Sequence, residues 1–295
     1  MFEQQLVNGF TLGLIYALIA VGYTMVYGVI ELINFAHGEI YMLGAFLCMT
    51  FITVLGAPLY LAIVLSVAAC CVIGVLLDII AYRPLRKAPR LAALITAIGM
   101  SIFLQNLAMI IWGSRPLPFV KSALPAFLDE PAINLSDVTI SWMQISIYAT
   151  AIAMMIGLNL IITKTRTGTA MRALAQNRVS AALMGINVNK VISFTFALGS
   201  GLGAMAGIMV SMYYNTMYPT MGYTAGVKAF AAAVLGGIGS VPGAMLGGIV
   251  LGIAETLGAG YVSSPYRDGV AYAVMILVIL FRPSGLLGRA VVDKA

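Results

Sequence analysis

Long apolar segments separated by short polar connectors run through the whole of this chain. Each is close to the length of about 20 residues that a helix needs to cross the hydrocarbon core of a bilayer. Their apolar residues do not alternate with polar ones, which excludes the strands of a membrane barrel. The pattern predicts an all-α, polytopic integral membrane protein. The predicted spans are 7–29, 40–55, 59–80, 91–112, 142–162 and 191–213.

Two later apolar regions are harder to divide into helices. The first, 228–257, is interrupted by a glycine-rich segment, and the second, 268–281, is short. Glycine and proline at this density break a helix. The interruption predicts either a turn between two short spans or the tip of a re-entrant hairpin at 236–243. We expect about eight membrane helices, and at most ten, in a single transmembrane domain, 1–295.

Such a break at membrane depth is tolerated where it is packed in protein or lines a water-filled cavity, and transporters use such breaks in their pathways. A plain turn is the alternative. Polar residues next to the first two predicted spans join the candidates. The candidate pathway residues are Asn34, His37, Gly236, Gly237, Gly239, Ser240 and Gly243.

The distribution of charge predicts the orientation of the spans. Hydrophobic residues make up 61% of the chain and charged residues 9%, against about 25% charged in soluble proteins. Connectors 81–90 and 164–190 carry cations and no acid, which places both on the cytoplasmic side. The mixed charges of 113–141 indicate the opposite side. This orientation predicts an external N-terminus and a cytoplasmic C-terminal tail.

The basic connector 164–190 has five cations and a helical pattern of its own. Apolar residues recur at three- and four-residue steps over 171–186, Thr169 is a candidate N-cap, and Gly185 is a candidate stop. An amphipathic helix in a connector is often a docking surface for a partner. The alternative is a solvated loop whose cations only set the topology.

Glycines at 199, 203 and 207 are spaced by four in one predicted span. This spacing lets a neighbouring backbone approach closely. We expect Gly199, Gly203 and Gly207 to mediate helix packing within the chain, with contact to another subunit as the alternative.

The segment 34–39 holds the single histidine, His37, two residues before Glu39. No partner histidine exists elsewhere, so no metal site is predicted. The two side chains are interpreted either as a polar helix cap near the cytoplasmic surface or as a proton relay. Asp78, Glu255 and Asp268 lie near the ends of predicted spans. The sequence therefore predicts no acid near the membrane midplane, where an ion-coupled carrier would hold one.

Sequence motifs for nucleotide hydrolysis, serine hydrolysis and zinc proteolysis are absent from the chain. We expect that the chain is not an enzyme, binds no metal or cofactor, and receives any energy for transport from a partner.

Four blocks of this sequence resemble those of branched-chain amino-acid ABC transporter permeases of the LivH type. They occur in family order and span nearly the whole chain: 32–44 (Leu-Ile-Asn-Phe-Ala-His-Gly-Glu-Ile-Tyr-Met-Leu-Gly), 168–186, 234–244 (Val-Leu-Gly-Gly-Ile-Gly-Ser-Val-Pro-Gly-Ala) and 281–288 (Phe-Arg-Pro-Ser-Gly-Leu-Leu-Gly). One block alone would be a weak match, whereas the four together are specific.

The resemblance implies a multi-pass protein of the bacterial inner membrane that pairs with a second homologous permease. It implies two cytoplasmic ATPase subunits, which bind the ATP and Mg²⁺, and a periplasmic binding protein that delivers leucine, isoleucine or valine. Related permeases carry other amino acids, urea or short amides, and these are alternative substrates.

The resemblance also implies a helix in the connector 164–190 that couples to the ATPases. Ala181, Ala182 and Gly185 match the later part of the glutamate-alanine-alanine motif of such importers, although no glutamate precedes them. The predicted coupling residues are Met171, Arg172, Leu174, Ala175, Arg178, Ala181, Ala182, Leu183, Gly185 and Ile186. Two rival functions are an ion-coupled secondary carrier and an intramembrane enzyme that uses His37 and Glu39.

Overall fold

The computed structural model describes residues 1–288 except 87, 121–122, 136–137 and 283. Charges that contributed to the predicted orientation lie outside these residues, namely Lys87, Lys121, Asp137 and those of 289–295. The described part forms a helical bundle with one small β-hairpin. Its helices are α1 Phe2–Ile30, α2 His37–Thr53, α3 Leu59–Leu77, α4 Arg90–Trp112, α5 Trp142–Lys164, α6 Arg166–Gln176, α7 Arg178–Leu183, α8 Val188–Tyr214, α9 Met221–Gly236, α10 Val241–Tyr261 and α11 Arg267–Phe281.

Shorter elements complete the fold. A π-helical turn, Asp78–Tyr82, extends α3, and 3-10 helices occupy Ala126–Asp129 and Ser264–Tyr266. Strands β1 (Pro131–Leu135) and β2 (Val138–Ser141) pair antiparallel. In β1 the register shifts between Pro131 and Ile133.

Seven helical segments in the described residues are long and apolar enough to cross a membrane. The chain is therefore a multi-pass membrane protein, and the predicted all-α fold is confirmed. Two more helices, α2 with 17 residues and α9 with 16, are shorter and lie mostly buried in the bundle. At about 1.5 Å of rise per residue, each falls short of a hydrocarbon core that is about 30 Å thick. Together they agree approximately with the expected count of eight.

The bundle has two distinct ends. Helices α6 and α7 lie at one end, which we call the α6 end, together with the last residues of α1. The β-hairpin lies at the other, the hairpin end, where the Thr139 amide donates to Gln4 Oε1 over 2.8 Å. Helix α10 runs antiparallel to α1, since Gly9 lies against Ile253 whereas Gly28 lies near Gly239. These contacts place the start of α10 at the α6 end.

Helices α1–α4 and α8–α11 are two copies of one arrangement with opposite directions. Each begins with a long helix that ends in a left-handed residue, Glu31 (φ 53°) or Asn215 (φ 50°). A short connector and a short helix follow, and then two further helices. The packing also corresponds: α1 packs on α10 as α8 packs on α3, and α2 packs on α8 as α9 packs on α1. The two copies form an inverted repeat, an architecture that recurs in transporters.

The glycine-rich interruption is a turn between α9 and α10 at the α6 end. Gly237 (φ 103°) and Gly239 (φ 94°) adopt conformations that L-residues rarely occupy. The amides of Leu286 and Leu287 donate to the carbonyls of Leu235 and Gly236, so the C-terminal segment covers the open end of α9. Helix α9 begins at Met221, earlier than the predicted start at 228, and Lys228 therefore lies inside it.

The predicted single helix over 171–186 is wrong, because the structure has two helices there. Thr165, rather than Thr169, caps α6 by accepting from the Gly168 amide over 3.0 Å. Asn177 adopts an extended backbone and caps α7, accepting from the Ser180 amide over 3.0 Å. An asparagine side chain that binds the following amides ends one helix and starts the next. Gly185, just after α7, has φ 81°.

Candidate functional site

The N-termini of the two short helices meet deep in the bundle. The backbones of α2 and α9 touch at Gly38 and Gly222, where a Cβ on Gly38 would overlap the Gly222 carbonyl oxygen. His37, the first residue of α2, lies against Gly22 of α1. Because Gly22 is eight residues before the end of α1, this junction lies roughly 12 Å from that end. The prediction that the segment lies near the surface is therefore wrong.

Glu39 is a fully buried acid at this junction. Its Oε1 accepts a hydrogen bond of 2.8 Å from the Ser101 hydroxyl of α4. Its carboxylate also lies beside Gly222, in the first turn of α9, where the positive end of the helix dipole favours a negative charge. Glu255 in α10 is a second fully buried acid. Glu255 lies in the last two turns of α10, near the end of a span as predicted, whereas the burial of Glu39 among the helices was not predicted.

The other polar residues of 34–39 hold neighbouring elements together. The Tyr82 hydroxyl donates to Asn34 Oδ1 over 2.7 Å, which ties the π-helical turn to the connector after α1. The His37 ring packs edge-on against Tyr23 with centroids 4.7 Å apart. Within the described residues, no group of three His, Cys, Asp or Glu side chains is placed to hold a metal ion.

Cavities follow one another along the bundle from the hairpin end to the α6 end. The first, which we call the charged cavity, has about 320 Å³ and the second, the apolar cavity, about 350 Å³; Thr224 lines both. A constriction of about 10 Å³ beside Tyr23 and Phe230 follows. Beyond it, a space of about 240 Å³ shares Tyr27 and Ile33 with the constriction. Each of the four spaces thus shares a lining residue with the next.

The apolar cavity lies between α4 and α9. Its wall is mainly aliphatic and aromatic, with a few hydroxyl and amide groups, a composition typical of small-molecule sites. Ser101 contributes to this wall and also binds Glu39, so the cavity borders the junction of α2 and α9. The lining residues are Tyr23, Phe35, Ile98, Ser101, Ile102, Gln105, Thr220, Tyr223, Thr224, Gly226 and Val227.

The charged cavity contains two cations and two anions in one network. Lys228 Nζ lies 2.9 Å from Glu255 Oε1 and 2.6 Å from Asp268 Oδ1. Arg267 Nε donates to the same Glu255 oxygen over 2.6 Å, and its Nη2 donates to the Tyr214 hydroxyl over 3.0 Å. The residues differ in exposure, because Glu255 and Lys228 are buried whereas Arg267 and Asp268 face the opening.

A second ion cluster lies at the α6 end. Asp78, at the start of the π-helical turn, is fully buried and pairs with Arg86 at 2.5 Å and with Arg83 at 3.6 Å. The Ser193 hydroxyl of α8 donates to its other oxygen over 2.6 Å. Since both carboxylate oxygens have partners within the chain, this cluster fastens the end of α3 to α8.

Helices α6 and α7 form a platform at the α6 end. Met171, Leu174 and Ala181 are buried against the rest of the chain. Arg172 donates to the Ile162 carbonyl at the end of α5. Large apolar side chains on the other face of α7 and directly after it are exposed, with Val179 at 71%, Leu183 at 82% and Met184 at 83%. A contiguous apolar patch of this kind marks a contact surface.

This platform also reaches the glycine turn. A groove of about 120 Å³ is lined by Met171, Arg172 and Ala175 of α6, by the last turns of α1, and by Gly239. Helix α6 therefore packs near the end of the central helix α1 and shares this groove with the turn that begins α10.

Comparison with known proteins decides what this arrangement is. The family model described as branched-chain amino acid transport system / permease component matches residues 5–279. The chain belongs to the branched-chain amino acid transport permease family. The permease is 47% identical to the high-affinity branched-chain amino acid transport system permease protein BraD of Pseudomonas aeruginosa, with 99% of this chain and 98% of BraD covered.

Two further similarities bear on the family and the fold. The permease is 45% identical to LivH of Escherichia coli, over 99% of this chain and 97% of LivH. Among solved structures, PsaBC from Streptococcus pneumoniae in complex with Fab matches with a TM-score of 0.50 over 94% of this chain and 91% of that chain. At 11% identity, this match shows a shared fold only.

The permease places its predicted pathway residues beside the row of cavities. None of the seven lines the four described spaces, whereas their neighbours Ile33, Phe35 and Ile238 do. Gly239 lines the groove next to α6 instead. Gly199, Gly203 and Gly207 form the face of α8 that lies against Gly22, His37 and Tyr41.

Sequence reasoning missed the network around Lys228. The available signal was a single lysine within a long uncharged apolar stretch, a position where an ionisable residue is functional by default. The aromatic wall of the charged cavity gave no such signal, because its tyrosines come from several distant helices.

Proposed function

We propose that this permease is the membrane subunit of an ATP-driven importer for leucine, isoleucine and valine in the bacterial inner membrane. It pairs with a second homologous permease, two cytoplasmic ATPases supply the energy, and a periplasmic binding protein delivers the substrate. ATP and Mg²⁺ bind to the ATPases and not to this chain. Permeases of the same family for other amino acids, urea or short amides are the alternative.

The apolar face of α7 is the observation that carries the proposal of ATPase docking. Val179, Leu183 and Met184 project from the α6 end, whereas Ala181 faces inward. Of these three exposed residues only Leu183 is among the ten predicted from the sequence, and in this proposal Met171 and Leu174 hold α6 to the bundle. In this proposal the segment 164–190 is the cytoplasmic coupling loop, and the hairpin end with the N-terminus faces the periplasm.

The contacts of α6 supply a route from the ATPases to the pathway. Movement of α7 displaces α6, which packs against α1 and shares a groove with Gly239. Tyr23 of α1 lines both the apolar cavity and the constriction below it. A shift of α1 would therefore change the width of the constriction that follows the apolar cavity. Net transport follows because ATP binding biases two states that bind the substrate differently.

Leu183→Glu tests the docking surface. In a complex purified from membranes with its partners and reconstituted in vesicles, we expect this variant to lose ATP-driven leucine uptake and to release the ATPases. A carboxylate in an apolar contact is costly to desolvate. Leu183→Met is the matched control and should retain uptake. Full uptake and full ATPase retention by a correctly inserted Leu183→Glu complex would refute the docking proposal.

An ion-coupled secondary carrier is the second candidate function. The buried acids Glu39 and Glu255 favour it, because intramembrane acids commonly serve as proton or ion relays. Glu39, however, accepts a hydrogen bond from the Ser101 hydroxyl, and Glu255 is paired with two cations. Both acids therefore have structural partners, and uptake by the chain without ATPases is the observation that would favour this candidate.

A further inference from the structure

The charged cavity carries an arrangement that helix packing alone does not require. Placing a charge inside a membrane bundle is expensive, and well-packed apolar residues often replace a buried ion pair without loss of stability. Here four charges line a space of about 320 Å³ rather than packing against each other alone. This volume lies within the range of small-molecule sites.

The exposed half of the network offers groups of both signs to a ligand. Arg267 is 35% exposed, and its described contacts use two of its five N–H donors. Asp268 is 56% exposed, and only its Oδ1 has a partner among the described residues. The guanidinium can therefore receive a carboxylate, for which it has the preferred forked geometry, and Asp268 can receive an ammonium group.

The buried residues Lys228 and Glu255 complete a network whose charges cancel. Lys228 is neutralised by Glu255 and Asp268, and Glu255 also binds Arg267. The four side chains together have no net charge. A zwitterion that contributes one positive and one negative group leaves the site neutral, whereas a net anion or cation does not.

The remaining wall suits an aliphatic side chain next to a cation. Tyrosines at 16, 41, 214 and 218 surround the charges, and Leu12, Val210, Met221 and Ala225 supply apolar surface. Aromatic faces attract ammonium groups, and Lys228 Nζ already lies 5.8 Å from the centre of the Tyr16 ring. Thr224 connects this space with the apolar cavity.

We propose that the charged cavity is a binding site within the permease for an aliphatic α-amino acid, in which Arg267 holds the α-carboxylate and Asp268 the α-ammonium group. The inference rests on the proposed transport of such amino acids and adds to it a receiving site on the membrane subunit itself. The substrate enters at the hairpin end and binds Arg267 and Asp268 in the charged cavity. It then passes Thr224 into the apolar cavity.

Binding of leucine and two analogues to the complex in nanodiscs, without the binding protein, tests the site. Leucinamide lacks the carboxylate, and 4-methylpentanoate lacks the ammonium group. We expect the unmodified complex to prefer leucine over both analogues. Arg267→Gln should weaken leucine binding roughly 10-fold to 100-fold and abolish the preference over leucinamide. Asp268→Asn should weaken it similarly and abolish the preference over 4-methylpentanoate.

Arg83→Gln is the matched control, because Arg83 is a comparably exposed arginine in the ion cluster at the opposite end. It should bind leucine as the unmodified complex does, and thermal unfolding of each variant checks that it is folded. Unchanged leucine binding in folded Arg267→Gln and Asp268→Asn, or no leucine binding to the unmodified complex, would overturn the site. ATP-driven uptake by the full importer, measured separately, decides the proposed function and can succeed where the site fails.

Discussion

The two halves of the inverted repeat each hold one ion cluster, and the clusters differ in what surrounds them. In the first half Asp78 lies where α3 ends, at the α6 end, and is closed by Arg83, Arg86 and Ser193. In the second half Glu255 lies in the last two turns of α10, at the hairpin end, and its network lines a cavity. The third helix of each half thus carries an ion cluster near its end, which is closed by partners in the first half and borders a cavity in the second.

The Asp78 cluster thus contains charges that stabilise the fold, whereas the Glu255 network contains charges that a ligand can reach. Both central acids are fully buried, so burial alone does not distinguish them. What distinguishes them is the cavity beside the Glu255 network and the largely exposed second acid of that network, Asp268. An ion cluster in a membrane protein is therefore best judged by its unfilled surroundings, and the two clusters predict opposite outcomes for the same type of substitution.

The largest effect is expected where the two halves touch. In Gly38→Val, the new side chain would overlap the Gly222 carbonyl oxygen and approach the Gly226 Cα, both of them backbone atoms. The short helices α2 and α9 cannot then cross. We expect loss of folded protein from the membrane, measured by size-exclusion chromatography of a detergent extract. Gly99→Val on α4, where a Cβ meets no atom within 4 Å, is the control. Normal folding of Gly38→Val would contradict the close crossing.

The next effect separates the two ion clusters. Asp78→Asn leaves Arg86 largely buried without its partner and should destabilise the fold by about 3 kcal/mol, the lower range for breaking a buried pair. Asp268→Asn removes a carboxylate that is 56% exposed and should lower the unfolding temperature far less. Thermal unfolding in one detergent compares them. Equal destabilisation by the two variants would contradict the distinction between a structural ion cluster at Asp78 and a ligand-accessible one around Glu255.

A smaller effect is expected at Glu39, the buried acid in α2. Ser101→Ala removes the hydroxyl that donates to Glu39 and should lower the free energy of unfolding by about 1–3 kcal/mol, because a buried carboxylate loses a hydrogen bond. Denaturant titration followed by tryptophan fluorescence measures the change. Ser101→Thr keeps a donor and should recover part of the loss. No change in Ser101→Ala would mean that the Glu39 carboxylate does not depend on this hydroxyl.

The smallest effect concerns the π-helical turn. Tyr82→Phe removes the hydroxyl that donates to Asn34 over 2.7 Å and leaves the ring packed on Phe196. We expect a loss of about 1 kcal/mol, the usual net value of one hydrogen bond. The same titration measures it. A loss as large as that in Asp78→Asn would show that the turn depends on this hydrogen bond as much as on the ion cluster.

Much of the fold follows from hydropathy, because helices in lipid must satisfy their own backbone groups and therefore appear as long apolar runs. Six helices lie close to their predicted bounds, for example α4 at Arg90–Trp112 against 91–112. The start of α9 and the depth of α2 were less predictable. His37 and Glu39 suggested the end of a span, yet the connector after Glu31 returns into the bundle and buries both residues.

The site was less accessible to sequence reasoning than the fold. The family blocks correctly indicated the permease family, and the basic connector drew attention to α6 and α7. The break at Asn177 was hidden, since the apolar spacing continues through it. The cavities were also hidden, because residues as distant as Tyr16 and Arg267 become neighbours only through the packing of α1, α10 and α11.

The most direct test of the account is uptake by vesicles that contain the purified chain, with and without its ATPases. We predict leucine uptake only when the ATPases, the second permease and the binding protein are present and ATP is supplied at the α6 end. An ion gradient alone should drive none. Leucine uptake by this chain alone, driven by a proton or sodium gradient, would contradict the account and establish a secondary carrier instead.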